Sequence, residues 1–214
     1  PTLAPYAKLN ECMVRATAKA DTREKAEAML APLVEQVKET LGDVVYGVDV
    51  ESLEEVVSRL LRERGLTLSA AESCTGGLIA KRLTDLPGAS QIFRGGVVSY
   101  TSEVKAGVLG VPEELLEQYG AVSEPVARAM AECCRRLCGS DLAISVTGVA
   151  GPDRDDRGNE VGVVYIALAG PEGTICKKLF CGRGRGRDRV RFAAASNAFD
   201  MLRRQLLGLP AGGN

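Results

Sequence analysis

The sequence predicts an α/β fold: a three-layer α/β/α sandwich on a mixed sheet, preceded by a small α+β segment. Three observations carry this. From residue 51 onward, short apolar runs alternate with longer stretches of helical spacing, the pattern of strands joined by crossover helices. Two late apolar runs, 161–169 and 173–180, are separated only by the turn around Gly170-Pro171-Glu172-Gly173, so a hairpin adds antiparallel strands to otherwise parallel neighbours. The chain has 214 residues and 45% hydrophobic content, enough for one medium domain and a small one, and its 4% aromatic content without tryptophan points to a core of Val, Leu, Ile and Ala.

The first 50 residues read as a strand from Glu11 to Ala18, an amphipathic helix from Thr22 to Leu41 stopped by Gly42, and a short strand from Val44 to Val48. A second domain, 51–209, begins with a helix from Leu53 to Arg64. A strand over 66–71, a helix over 75–85, a strand over 94–100 and helices over 103–109 and 112–118 follow. Ser123-Glu124-Pro125 has the form of a helix start, with a capping side chain, an acidic first turn and a proline where the lost N–H costs least, and opens a helix over 124–138. Strands over 141–147, 161–169 and 173–180 come next, then a closing helix from Arg187 to Leu207.

Charge and cysteine usage narrow the function classes. The net charge of −1 gives no general case for nucleic-acid binding. No apolar run reaches the roughly 18 residues of a membrane helix, and nothing has the form of a signal peptide. Seven cysteines without framework spacing fit reduced thiols in the cytoplasm. Cys134 and Cys138 share a helix face, but two thiols with no histidine in the chain do not make a metal site. We expect neither metal nor cofactor.

The chemistry concentrates in Ala71-Glu72-Ser73-Cys74-Thr75-Gly76-Gly77, which leaves an apolar run and opens a helix. Such a turn aims backbone N–H groups at an anion, and its glycines let a ligand approach the backbone. With no histidine present, Ser73 and Cys74 lack the usual imidazole partner, and the base must be a lysine, a carboxylate or a tyrosine. Tyr100 and Lys105 follow the next apolar run, at a strand end that would face the same crevice. Thr147-Gly148 to Gly151-Pro152 forms a second strand-end loop where a phosphate or ribose could lie. Each residue also has a plainer reading: Ser73 as a helix cap, Cys74 as a small buried thiol, Glu72 as a structural carboxylate, Lys105 as a solvated charge.

Taken together, the 71–77 run, Val98-Ser99-Tyr100 with Lys105, Gly120-Ala121-Val122-Ser123-Glu124 and Thr147-Gly148-Val149-Ala150-Gly151-Pro152 resemble the C-terminal domain of the CinA family, a nicotinamide-nucleotide amidohydrolase. The resemblance implies hydrolysis of the carboxamide of nicotinamide mononucleotide, with Ser73 as nucleophile, Lys105 as general base and Tyr100 as supporting tyrosine. It implies substrate contacts from Glu72, Cys74, Thr75, Gly76, Gly77, Thr147, Gly148 and Gly151, and from Arg185 or Arg187 in the arginine-rich segment 182–191. Residues 1–50 resemble the small KH-like segment of longer CinA proteins, but lack a G-x-x-G loop that would clamp an RNA backbone. That likeness leads us to expect a nucleotide-handling domain N-terminal to this chain, and we expect a homodimer. The rival expectation is a non-enzymatic competence or DNA-damage interaction module in which Ser73 is only a cap.

Overall fold

Alternating burial along the apolar runs yields a two-stranded ribbon and a five-stranded sheet in the computed structural model, which describes residues 1–8, 11–50, 52–182 and 186–210. The chain divides into two compact units, Pro1–Asp49 and a larger one that begins at Val50.

In the first unit β1 (Thr2–Lys8) pairs antiparallel with β2 (Glu11–Thr17), and α1 (Arg23–Leu41) follows. Thr22 caps α1 by accepting from the Lys25 N–H, and Gly42 ends it with φ +61°. Two expectations change here. Strand β1 has no counterpart in the sequence reading, because Pro5 interrupts its pattern; a proline is tolerated where one side of a strand carries no ladder. The strand expected over Val44–Val48 is instead a 3₁₀ turn, Gly42–Val44, and an irregular segment. Among the described residues β1 and β2 pair with each other and with no third strand, and Tyr46 ties the irregular segment to the ribbon by donating to Glu11. No described residue of this unit is buried.

The larger unit begins with α2 (Leu53–Arg64), capped by Ser52 and ended by Gly65. Its sheet has the order β4-β3-β5-β6-β7. Strand β3 (Leu68–Glu72) runs parallel to β4 (Phe93–Val98) and β5 (Leu142–Gly148), while β6 (Val163–Gly170) and β7 (Gly173–Phe180) add two antiparallel pairings. The mixed sheet expected from the hairpin is present.

Side-chain alternation divides the two faces of this sheet. Ala71 of β3 and Ala143 of β5 pack with α6 (Glu124–Cys138), as do Ala167 and Ala169 of β6. The opposite face of β5 and β6, including Ile144 and Ile166, lies buried toward α7 (Arg187–Leu207). Helices α2, α3 (Leu78–Thr84) and α7 pack together, tied by Arg82, which forms an ion pair with Glu54 at 2.8 Å and donates to Ser196 Oγ. Two short helices, α4 (Ser102–Gly107) and α5 (Glu113–Tyr119), carry the chain from β4 to α6.

The switch point that positions the site is the centre of this sheet. Strand β3 lies between β4 and β5, and all three run parallel, so their C-terminal ends, at Glu72, Val98 and Gly148, open on one side. Helix α3 starts three residues later than the helical spacing suggested, because Ser73–Gly77 is used up in a turn: Gly76 N–H donates to the Ser73 carbonyl at 3.0 Å, and Gly76 and Gly77 hold φ of +59° and +93°.

Candidate active site

Ser73 leaves β3 with its own N–H still bonded to the Val146 carbonyl of β5 at 2.9 Å, so the sheet fixes its position. Its hydroxyl does not cap α3; Gly77 occupies the cap position. Helix α4 is held by its own cap, Thr101, and carries Lys105 back under the strand ends. There Lys105 Nζ lies 3.0 Å from Ser73 Oγ, 2.7 Å from the Ser99 carbonyl and 3.4 Å from the Tyr100 carbonyl. The amine is 1% exposed, which rules out a solvated helix charge. Burial brings its pKa down from 10.5 to about 8.

A neutral amine has two N–H groups and one lone pair. The two carbonyls accept those two protons, and the lone pair is left for the Ser73 hydroxyl. The strand-end backbone therefore orients the amine without a third side chain.

Around this pair lies a cleft of about 180 Å³. Ser73 and Cys74 line it from the β3–α3 turn, Tyr100 and Lys105 from the end of β4 and α4, and Thr147, Gly148 and Ala150 from the end of β5. Arg187 closes it from the first turn of α7, where Nη1 donates to the Gly151 carbonyl at 2.7 Å and Nη2 donates to the Tyr100 hydroxyl. Ala121 and Val122 complete the lining; they belong to a stretch visible in the sequence, but two small apolar residues give no chemical signal there.

Several expected residues take other places. Glu72 is turned away under α3, where its carboxylate accepts from the N–H groups of Gly77, Ile79 and Ala80 at 3.0, 3.1 and 2.8 Å. The anion expected at this helix start is the protein's own, so Glu72 is a cap and not a substrate contact. The Thr75 side chain is fully buried and leaves only the backbone to face the cleft, Gly76 and Gly77 form the turn, and Gly151 acts through its carbonyl. Lys105 reaches Ser73 directly, while the Tyr100 hydroxyl, half-exposed, meets Arg187. The Thr147 hydroxyl donates to the Ala121 carbonyl at 2.7 Å and holds the neighbouring wall. Gly148 is required because a Cβ there would stand 2.7 Å from the Val163 carbonyl. Arg185 lies outside the described residues.

Cys74 is not a competing nucleophile. Burial pushes its thiol up to about 12, where almost none is ionised at neutral pH. Two backbone donors of buried residues stand beside it: among the described residues, the N–H groups of Cys74 and Thr75 donate to no other residue. Buried N–H groups without a partner are rare and mark a place where something else binds. Among the described residues no cluster of three His, Cys, Asp or Glu side chains could hold a metal, and no helix is long and apolar enough to cross a membrane.

The family described as the CinA C-terminal domain matches residues 50–206. The chain belongs to the CinA family. A second CinA model, the damage-inducible protein CinA KH domain, matches residues 1–47. A CinA-like protein of Desulfovibrio desulfuricans is 51% identical over 211 residues, covering 98% of this chain and 50% of its own length. A putative competence-damage inducible protein of Symbiobacterium thermophilum is 48% identical, with 97% of this chain and 50% of that protein covered. The chain thus spans about half the length of the curated relatives it matches. Among solved structures, a competence/damage inducible protein from Agrobacterium tumefaciens superposes with a TM-score of 0.66 at 36% identity over 73% of this chain and 96% of that one. The competence damage-inducible protein A from Klebsiella pneumoniae gives a TM-score of 0.70 at 34% identity, covering 72% and 95%. The CinA fold with its mixed sheet, and the match of residues 1–47 to a CinA KH model, agree with the resemblance read in the sequence.

Proposed function

We propose that this CinA chain hydrolyses the carboxamide of nicotinamide mononucleotide to the carboxylate and ammonia, with Ser73 as nucleophile and Lys105 as base. The observation that carries the reading is the buried contact between Lys105 Nζ and Ser73 Oγ at 3.0 Å. A lysine under an unused cap serine would gain nothing by leaving water, and the interaction-module reading gives it no task.

Neutral Lys105 takes the proton of Ser73 as the oxygen attacks the carboxamide carbon. The oxyanion so formed is met by the N–H groups of Cys74 and Thr75. Collapse breaks the C–N bond, and the proton on Lys105 leaves with ammonia. A water then gives its proton to the same amine and attacks the acyl-serine, and collapse of that second adduct returns the serine and frees the carboxylate. The protons balance without a metal or redox partner.

The cleft, at about 180 Å³, is smaller than the roughly 300–1,000 Å³ of sites that enclose whole ligands. It suits the pyridine carboxamide, with ribose and phosphate running along the rim toward Arg187. Seven cysteines, none in a disulfide, fit a reducing compartment such as the cytoplasm. Ammonia release from nicotinamide mononucleotide, compared between the chain and Ser73→Ala, tests the proposal. We expect steady release that falls by roughly 10³-fold in the variant; equal release from both sinks it.

A further inference from the structure

The guanidinium of Arg191 is wired into the nucleophile turn. Its Nε donates to the Cys74 carbonyl at 3.1 Å and Nη2 to the Thr75 carbonyl at 2.8 Å, while Nη1 lies 3.8 Å from Asp188 on the same helix. A trans peptide is planar, with C=O and N–H pointing in opposite directions. Fixing the Cys74 carbonyl on α7 therefore fixes the Thr75 N–H away from it. The Ser73 carbonyl is likewise held inside the turn by Gly76 N–H, which turns the Cys74 N–H outward. Neither N–H donates to another residue among the described ones. Gly76 makes the approach possible, since a Cβ there would stand 3.3 Å from Arg191 Nη2.

We infer that Arg191 is a positioning residue for the hydrolysis: it locks the peptide planes of the 73–76 turn so that the Cys74 and Thr75 N–H groups stay aimed at the oxyanion. The inference rests on the reading of Ser73 as nucleophile. A positive charge hydrogen-bonded to a peptide carbonyl also polarises that peptide and strengthens its N–H as a donor. The job requires a fork, because two adjacent carbonyls must be held at fixed separation, and a lysine presents no such geometry. Arg187 and Arg191 are four residues apart and so share a helix face. One closes the cleft and the other braces its floor.

A fluorophosphonate probe tests this without nucleotide substrate: the serine oxygen displaces fluoride, and a phosphoryl oxygen takes the oxyanion position. Labelling of Ser73 across pH would be compared for the wild-type chain, Arg191→Met and Arg191→Lys, with Ser73→Ala as blank and ammonia release measured alongside. We expect Arg191→Met to label about 10- to 100-fold more slowly at every pH with an unmoved midpoint, and kcat to fall likewise while KM changes little. Arg191→Lys should lie between; it covers the case in which Arg191→Met does not unfold cooperatively. Labelling at the wild-type rate in the folded variants, or a loss confined to KM, overturns the role of Arg191 and leaves Ser73 as nucleophile. A wild-type chain that the probe does not label at Ser73 overturns both.

Discussion

Glu72, the last residue of β3, and Ser73, the first residue of the turn that follows, send their side chains to different places. The Glu72 carboxylate turns under α3 and takes three of its N–H groups, while the Ser73 hydroxyl turns to the cleft and meets Lys105. The N–H groups of Gly77, Ile79 and Ala80 are thereby already taken by the protein's own carboxylate.

Replacing Glu72 therefore loosens the turn without removing a reacting group. Glu72→Gln should cost about 1–3 kcal/mol, since a neutral amide oxygen replaces a carboxylate shared by three donors. Urea unfolding monitored by circular dichroism checks this, with ammonia release per folded molecule staying within about tenfold of wild type.

Cys74 and Ser73 part in the same way. Cys74→Ala should keep activity within about tenfold, because a thiol held near 12 contributes no thiolate at neutral pH. Steady-state rates for the two alanine variants, side by side, identify which atom attacks; a Cys74→Ala loss as large as that of Ser73→Ala would reverse the assignment.

How much of this was legible in the sequence depended on whether a residue's task was local. Helix α1, with its Thr22 cap and Gly42 stop, and the β6–β7 hairpin follow from neighbouring residues alone. Ser73, Lys105 and Tyr100 were drawn to one crevice by strand-end reasoning, and the structure brings them there. What stayed hidden depends on long-range geometry. Nothing near Arg191 in the chain indicates a bond to carbonyls 116 and 117 residues away. For Glu72 the plainer reading as a structural carboxylate holds, but which amides it takes depends on where α3 begins, at Leu78, and backbone N–H groups carry no side-chain signature. The run Val44–Val48 has strand propensity but pairs with no strand among the described residues.

Arg187 should govern recognition of the nucleotide's phosphate end more than the bond broken. Arg187→Ala is expected to raise KM for nicotinamide mononucleotide at least tenfold with a smaller change in kcat. Comparison with nicotinamide riboside, which lacks the phosphate, checks it: the wild-type preference for the mononucleotide should largely disappear in the variant.

The buried amine also couples stability to pH. The folded chain holds the Lys105 proton less tightly than the unfolded chain does, with about 8 against 10.5, so the lysine weakens the fold below pH 8 and ceases to do so above 10.5. Relative to Lys105→Met, the wild-type chain should gain stability as pH rises between those values, by up to about 3 kcal/mol. Denaturant midpoints of both proteins at pH 7 and pH 10 measure the difference.

The pH dependence of kcat/KM for ammonia release tests most directly whether Lys105 takes the serine proton. The rate should rise with pH through a midpoint near 8, as the amine becomes neutral in the free enzyme, and Lys105→Met should be slower by roughly 10³-fold and lack that limb. A flat profile between pH 6 and 9, or a methionine variant that retains both the rate and the rise, would contradict the account.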